Sequence, residues 1–343
     1  MSEVTMIGVD LAKRVFQIHG ARADGSVAYQ KKLSRSQLLE FLAQQPKCCV
    51  AMEACATAHG WGREIQKMGH QVKLIPPIYV KPFVKRQKND ANDAHAIVEA
   101  ASRPTMRSVA VKTQEQQARA MVFRTRELLV GQRTQLINGL RAHLAEFGIV
   151  APTGPAHLKR LQDALSDESL SLPQDVRELG ALYLEQIQHL VTRIDGLEHR
   201  LKAASDQSDT ARRLKTMPGI GPITAMAIET FAPNMEGFRR GRDFAAWLGL
   251  VPRQHSSGGK QVMGRTSKMG QRDIRRLLII SAMAVVTAAT RYGKTTTKWL
   301  MAMLERKPRL LVGIALANKM ARAVWAMLTR QHDYLKPEAI LAA

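Results

Sequence analysis

Two groups of residues in this chain have the types and spacing to do chemistry. The first is acidic. Asp10 and Glu53 each close a short apolar run, and Asp90 and Asp93 stand one helical turn apart in KRQKNDANDAHAI, residues 85–97. Residues three apart on a helix share a face, and the carboxyl ends of strands are where open α/β sheets present ligands. Four carboxylates converging away from bulk water repel one another unless a proton or a cation intervenes. Oxygen donors alone favour Mg²⁺ or Mn²⁺, and a pair of such ions stabilises both the attacking and the leaving oxygen of a phosphodiester. Lys85, Arg86 and Lys88, just ahead of the two helical acids, would neutralise the phosphates on which the metals act. Singly, each acid has a plainer explanation: Asp90 as an N-cap, Asp93 as a first-turn acid opposing the helix dipole, Glu53 as a surface residue. The combination carries the reading.

The second group is basic. From Arg239 to Arg276 there are ten Lys or Arg and two acids, Asp243 and Asp273. Arg253, His255, Lys260, Arg265, Lys268, Arg272, Arg275 and Arg276 are the candidate phosphate contacts, and the glycines among them let backbone approach a ligand closely. Inside this run lies HSSGG. A serine hydroxyl is a poor nucleophile until a base, a metal or positive charge stabilises its alkoxide, which Arg253, His255 and Lys260 could supply. Spacing alone reads Ser256 and Ser257 as loop residues and does not choose between them. Upstream, LKTMPGIGPITAMAIE at 214–229 resembles a helix-hairpin-helix element, in which Gly219 and Gly221 would offer backbone N–H groups to a phosphate. Such contacts carry no base information, and an ordinary Gly-Pro turn between packed helices is the simpler alternative.

The elements that must hold these groups can be traced along the chain. TMIGVDLA, VFQIHGA and VAYQKKL predict three strands, the second turn made by Asp24-Gly25. A helix at 36–44, the strand CCVAME, a helix near 60–68, the strand QVKLI and a helix over 90–101 follow. Hairpins followed by alternating strands and helices imply an α/β layer with a mixed sheet, expected to end near Arg103-Pro104. Met121, Val122, Leu128, Leu129, Leu136, Leu140 and Leu144 predict one long helix across 113–147. After a break at APTGP, Tyr183, Ile187, Leu190, Ile194, Leu197 and Leu201 alternate steps of four and three, a coiled-coil seam that pairs either within the chain or with another protomer. A third, glycine-punctuated and largely helical region runs from about Leu214 to Leu335.

Composition narrows the class of partner. The chain has 343 residues, 51 Lys and Arg against 29 Asp and Glu, and a formal net charge of +22, a field that favours a polyanion and nucleic acid above all. Anionic lipid is the competitor. The longest apolar run, LLIISAMAVVTAA at 277–289, is well short of the ~20 residues that span a bilayer, so no membrane is expected, and the N-terminus lacks a secretory pattern, which implies a cytosolic (cytoplasmic) protein. Cys48, Cys49 and Cys55 form neither a disulfide framework nor a C-x-x-C site and are expected to be reduced thiols.

Taken in order, GVDLAK, MEAC, KNDANDA, LKTMPGIGPITA, FAAWLGLVPRQHSSGGK and RTSKMGQRDIRRLL resemble the DEDD transposases of the bacterial insertion sequence 110 group, which include the Piv-type DNA invertases. The resemblance implies an RNase H-like, RuvC-type α/β domain over 1–104, a helical coiled-coil linker over 105–210, and a mostly α-helical transposase domain over 211–343. It assigns the DEDD acids to Asp10, Glu53, Asp90 and Asp93, and the nucleophile to Ser257, the residue before the first glycine. It further implies strand exchange through a phosphoserine, a structured guide RNA pairing with donor and target DNA, and a homo-oligomer, a dimer of dimers, with composite sites. No G-x-x-x-x-G-K-[ST] run is present, as expected if transesterification conserves the phosphodiester energy. Two other readings stand beside this one: a RuvC-like nuclease that cuts branched DNA by metal-bound water, and a nucleic-acid-binding scaffold without chemistry.

Overall fold

The computed structural model describes residues 3–85, 90–292 and 297–335. The chain forms two compact units, Met1–Gln117 and Ala118–Ala343. In the first, β1 (Val4–Asp10), β2 (Val15–Arg22) and β3 (Val27–Ser34) make an antiparallel meander. Helix α1 (Arg35–Ala43) leads to β4 (Cys49–Glu53), and α2 (Ala58–Lys67) to β5 (Gln71–Ile75). The sheet order is β3-β2-β1-β4-β5, with β4 parallel to β1 and to β5. This is the expected mixed sheet, and it is consistent with an RNase H-like layer.

In β1, β2, β4 and β5 apolar residues alternate or run unbroken where they are buried, whereas β3, an edge strand with no buried residue, is marked by the Asp24-Gly25 turn before it. Ile7, Val9, Val50 and Met52 pack with Phe16, Leu38 and Ile65 in one core. The opposite face is built from small residues: Ala51 packs with Ala96, Ile97, Ala100 and Ala101 of α4 (Asp90–Ser102). A short helix, α3 (Pro77–Val80), precedes α4 and was not foreseen.

The α4 helix stops before Pro104 as expected, but the first unit does not end there. Val109 N–H donates to the Leu74 carbonyl at 2.7 Å, and the Lys112 carbonyl accepts from Arg63 Nη1 at 2.8 Å. The segment after the proline therefore lines the β5 edge, which carries the unit to Gln117.

In the second unit, α5 (Gln114–Ala145) and α7 (Gln174–Gln207) are the long helices, with α6 (Leu158–Ser166) between them. Ile137, Leu140 and Leu144 of α5 share a core with Leu161 and Leu165 of α6 and Ile187 of α7, and Arg126 Nε donates to Glu198 Oε1 at 2.9 Å. The seam thus pairs within the chain, as an antiparallel hairpin. Phe123 and Leu201 continue directly into the core of the C-terminal helices, so the middle helices and the third region form one body rather than two.

That core is built by α8 (Asp209–Lys215), α9 (Pro222–Phe231), α10 (Gly241–Trp247), α11 (Arg272–Tyr292), α12 (Lys298–Arg306) and α13 (Arg309–Arg330). Among the described residues α13, rather than the 277–289 run, is the helix long and apolar enough to cross a membrane. It packs as a core helix: Val312, Ala317, Met320, Ala321, Val324 and Met327 are buried. A small antiparallel ribbon, β6 (Pro252–Gln254) with β7 (Met263–Thr266), interrupts the helices where the sequence predicts loop.

Candidate active site

The acidic group is assembled by the first unit. β1 and β4 lie side by side with Val9 opposite Met52, so Asp10 and Glu53, the next residue of each, leave the sheet together at its carboxyl edge. Helix α4 crosses above them. A Cβ on Gly8 would stand 2.5 Å from the Ala94 carbonyl oxygen and 2.6 Å from Val98 Cγ2, so helix and strand meet backbone to backbone. That contact holds Asp93 over the strand ends.

Electrostatics show the consequence. The Glu53 carboxyl is pushed above the usual glutamate range, first by burial and then by the negative charge of Asp93. The Cys55 thiol is likewise raised by burial, by Glu53 and, less strongly, by Asp10. Three of the four predicted acids therefore feel one neighbourhood. The side chain of Asp90, and Arg86 and Lys88, lie outside the described residues. Lys85 is exposed, and its charge helps to depress the pKa of both His95 and His19.

Does this set fit a divalent cation? Its donors are carboxylate oxygens, the hard ligands such ions take, and opposed carboxylates such as Glu53 and Asp93 are relieved by a cation between them. Among the described residues no three His, Cys, Asp or Glu already form a metal cage. The chemistry of Asp10, Glu53 and Asp93 fits an open cation site.

Reasoning from sequence missed the pair beneath these acids. His19 is buried, and its ring meets that of His95 edge to face with centroids 4.9 Å apart. Burial lowers both pKa values, His95 adds to the effect on His19, and Glu99 partly opposes it at His95. The two rings thus support α4 from below. Alternation along β2 puts His19 beside Gln17 on the face that reads as polar, yet both faces of the strand are buried, so the sequence held no signal of the pair.

The basic group is assembled by the second unit. At the tip of the β6–β7 ribbon Ser257 and Lys260 face each other across a bridge, with Lys260 N–H donating to the Ser257 carbonyl at 3.1 Å. Between them Gly258 and Gly259 have φ of 56° and 76°, a two-residue turn that demands left-handed backbone twice. Gln254 pairs with Met263 and His255 N–H donates to the Val262 carbonyl at 2.8 Å. Side chains alternate along paired backbone, so this register puts His255 and Ser257 on one face together with Val262 and Lys260; Arg253 sits at the register irregularity between Pro252 and Gln254, and its Cβ lies 3.6 Å from a Cβ built on Gly264. Gly264 lies on that face too: a Cβ there would be 3.4 Å from His255 Cδ2. Ser256 points the other way, where its Oγ accepts from Gln254 Nε2 at 3.0 Å. Among the described residues Ser257 Oγ has no hydrogen-bond partner, and the whole tip is exposed.

The remaining basic candidates divide. Arg265, Lys268 and Arg272 are exposed beside the ribbon, and Arg253 Nη2 reaches the Ser267 carbonyl at 3.5 Å. Arg275 is used internally: its Nη1 donates to the carbonyls of Leu248 at 2.9 Å and Met269 at 2.8 Å. Arg276 Nη1 pairs with Glu127 Oε1 at 2.9 Å. At the α8–α9 turn Gly219 has φ 89°, and a Cβ would strike Val285 Cγ2 at 2.6 Å and the Ser281 carbonyl oxygen at 2.7 Å. Packing against α11 therefore accounts for that glycine, although Pro218 and Gly219 stay exposed. Gly221 is the N-cap of α9.

Comparison with known proteins joins the two groups. Residues 7–149 match the family model for the transposase DEDD domain of the IS110 group, and residues 211–298 match that of the IS116/IS110/IS902 transposases. The chain is 45% identical over 333 residues to a protein of Pseudomonas aeruginosa named probable family 20 transposase, covering 96% of this chain and 98% of that one. It is 42% identical to the transposase for insertion sequence element IS1328 of Yersinia enterocolitica, over 96% of this chain and 98% of the relative. It is 40% identical to the transposase for insertion sequence element IS1111A of Coxiella burnetii, over 97% of this chain and 92% of the relative. With acids at the sheet edge in the first matched segment and the serine ribbon in the second, the chain belongs to the IS110 family of insertion-sequence transposases.

Proposed function

We propose that this protein is a DNA recombinase that cuts and rejoins strands through a phosphoserine on Ser257, assisted by divalent metal at Asp10, Glu53, Asp90 and Asp93. The observation that carries the reading is the one-sided ribbon. It sets Ser257 at an exposed tip with His255 and Lys260 on the same face, and turns Ser256 away into a hydrogen bond with Gln254. A nucleophile that must reach into a DNA backbone needs this exposure, and positive charge beside it favours both the alkoxide and the phosphate.

Mg²⁺ or Mn²⁺ held by the four acids would supply Lewis-acid stabilisation of the phosphate oxygens. The chain's own parts position the DNA. Lys85, Arg86 and Lys88 lie beside the acids in sequence; Arg265, Lys268 and Arg272 flank the ribbon; and the turn at Gly219 and Gly221, exposed at Gly219, offers a helix-hairpin-helix contact to a phosphate. The charge excess suits a second polyanion, a structured guide RNA pairing with donor and target DNA, with base pairing rather than side chains selecting the sites. A dimer of dimers, in which acids and serine of different protomers share a site, is the assembly we favour.

The test compares Ser257→Ala with Ser256→Ala. Loss of the covalent protein–DNA adduct and of cleavage in the first, with DNA binding kept and the second variant active, is expected. Retained cleavage in Ser257→Ala would transfer the chemistry to metal-bound water, the nuclease reading. Sequencing the nucleic acid that co-purifies with the protein tests the guide: RNA matching the flanks of its own gene is expected, and its absence removes the guide from the account.

A further inference from the structure

The ribbon carries a second chemical group whose placement is as specific as that of the serine. Ser257 and Lys260 are directly opposed residues of a two-residue hairpin, and such partners on one face have Cβ atoms roughly 5 Å apart. Lys260 is exposed, and among the described residues it makes no ion pair. The nearest acids in sequence are Asp243 and Asp273. Three other cations of the basic run are engaged elsewhere, Arg240 with Asp243, Arg275 with two carbonyls and Arg276 with Glu127, while Lys268 and Arg272 are exposed outside the hairpin tip. His255 shares the face, but its ring lies toward Gly264, which is across from Arg253 and away from the tip. The unspent charge beside the Ser257 hydroxyl is the Lys260 ammonium.

We propose that Lys260 is a catalytic residue, its ammonium holding a non-bridging oxygen of the scissile phosphate against Ser257. This rests on Ser257 being the nucleophile. In the step, the Oγ–P bond forms and the bond from phosphorus to the leaving deoxyribose oxygen breaks. Ser257 gives up its hydroxyl proton to water and the leaving oxygen takes one up, so one hydroxyl replaces another and no proton is gained or lost overall. Lys260 gives up no proton; it neutralises charge that grows on the non-bridging oxygens as the fifth bond forms. An ammonium on a flexible stem is suited to this as a point charge that follows the phosphorus. Removing one such donor from a preorganised site costs about 10²–10³ in rate.

The experiment uses the full-length protein with its co-purified nucleic acid and a duplex spanning the terminus of its own element. The duplex carries either a normal phosphate or a charge-neutral methylphosphonate at the scissile linkage. Lys260→Ala should form the serine adduct about 100-fold more slowly on the normal duplex with affinity within about threefold, and Lys260→Arg should recover part of the rate. On the methylphosphonate duplex, which lacks the charge to be neutralised, the gap between wild type and Lys260→Ala should shrink to within about tenfold. A wild-type rate in Lys260→Ala, or an equal deficit on both duplexes, overturns the proposal. Ser257→Ala separates the two failures. An adduct that persists in that variant sinks the serine reading, whereas its loss beside an active Lys260→Ala sinks only the lysine.

Discussion

Gly8 and Ala94 touch through their backbones: a methyl group on Gly8 would lie 2.5 Å from the Ala94 carbonyl oxygen. This is the contact that brings an acid on a helix over two acids at strand ends. Gly8→Ala is therefore expected to act on geometry as well as stability. Lifting α4 from β1 should cost about 1–3 kcal/mol, as overpacking of a tight contact does, and move Asp93 away from Glu53. Urea unfolding gives the first effect. The second is read in the cleavage rate, which should fall further than the folded fraction does. A fully active, equally stable Gly8→Ala would show that the approach of α4 is not what assembles the acids.

Glu53 gives a prediction about pH. Burial and the Asp93 charge raise its pKa, so the folded protein holds the Glu53 proton more tightly than the unfolded chain does. The folded state therefore suffers no penalty below the ordinary glutamate range, and a penalty appears as pH rises through the raised value. Glu53→Gln removes that penalty. In metal-free buffer at pH 7 it should stabilise the protein slightly, while abolishing cleavage. The difference should shrink toward zero as pH falls through the ordinary glutamate value. Thermal melts of both proteins across this window, with chelator present, measure it. A destabilising Glu53→Gln at neutral pH would mean the carboxylate is compensated inside the protein rather than awaiting a cation.

What the sequence made legible, and what it hid, follows from the same forces. The strands bearing Asp10 and Glu53 were readable because their neighbours are buried and apolar, and Asp24-Gly25 announced its hairpin, with Gly25 at φ 82°. The β6–β7 ribbon was not readable as strands: three and four residues long and exposed almost throughout, it has no apolar alternation, and only the Gly-Gly pair marked it. Gly8 was silent because a glycine within a strand ordinarily signals weakness, not a helix pressed against it. The seam at Ile187 and Ile194 showed periodicity without direction; Tyr183 against Gly139 together with Arg126 on Glu198 fixes it as antiparallel within the chain. Arg275 looked like its basic neighbours because charge does not reveal whether a guanidinium faces solvent or a carbonyl.

That last distinction can be measured. Arg275 Nη1 ties the Leu248 carbonyl, at the end of α10, to the Met269 carbonyl, just before α11. Burial, reinforced by Arg272, lowers its pKa and Asp273 partly opposes this. Its role is to clamp the base of the ribbon whose tip bears Ser257. Arg275→Ala leaves two carbonyls without their donor and should cost about 1–3 kcal/mol, with Arg275→Lys recovering only part because an ammonium lacks the planar fork. The slope of log affinity for DNA against log salt should stay at the wild-type value, since no phosphate contact is lost. Arg272, exposed on the first turn of α11, should behave in the opposite way: Arg272→Ala should leave stability within about 0.5 kcal/mol and reduce the salt slope by about 1. The pair of measurements, denaturant midpoint and salt slope on each variant, sorts a clamp from a contact. If Arg275→Ala flattens the salt slope and leaves the midpoint unmoved, the guanidinium serves DNA and the ribbon is anchored elsewhere, with the Asn318 amide on the Leu250 carbonyl, 3.1 Å away, as the next tie to remove.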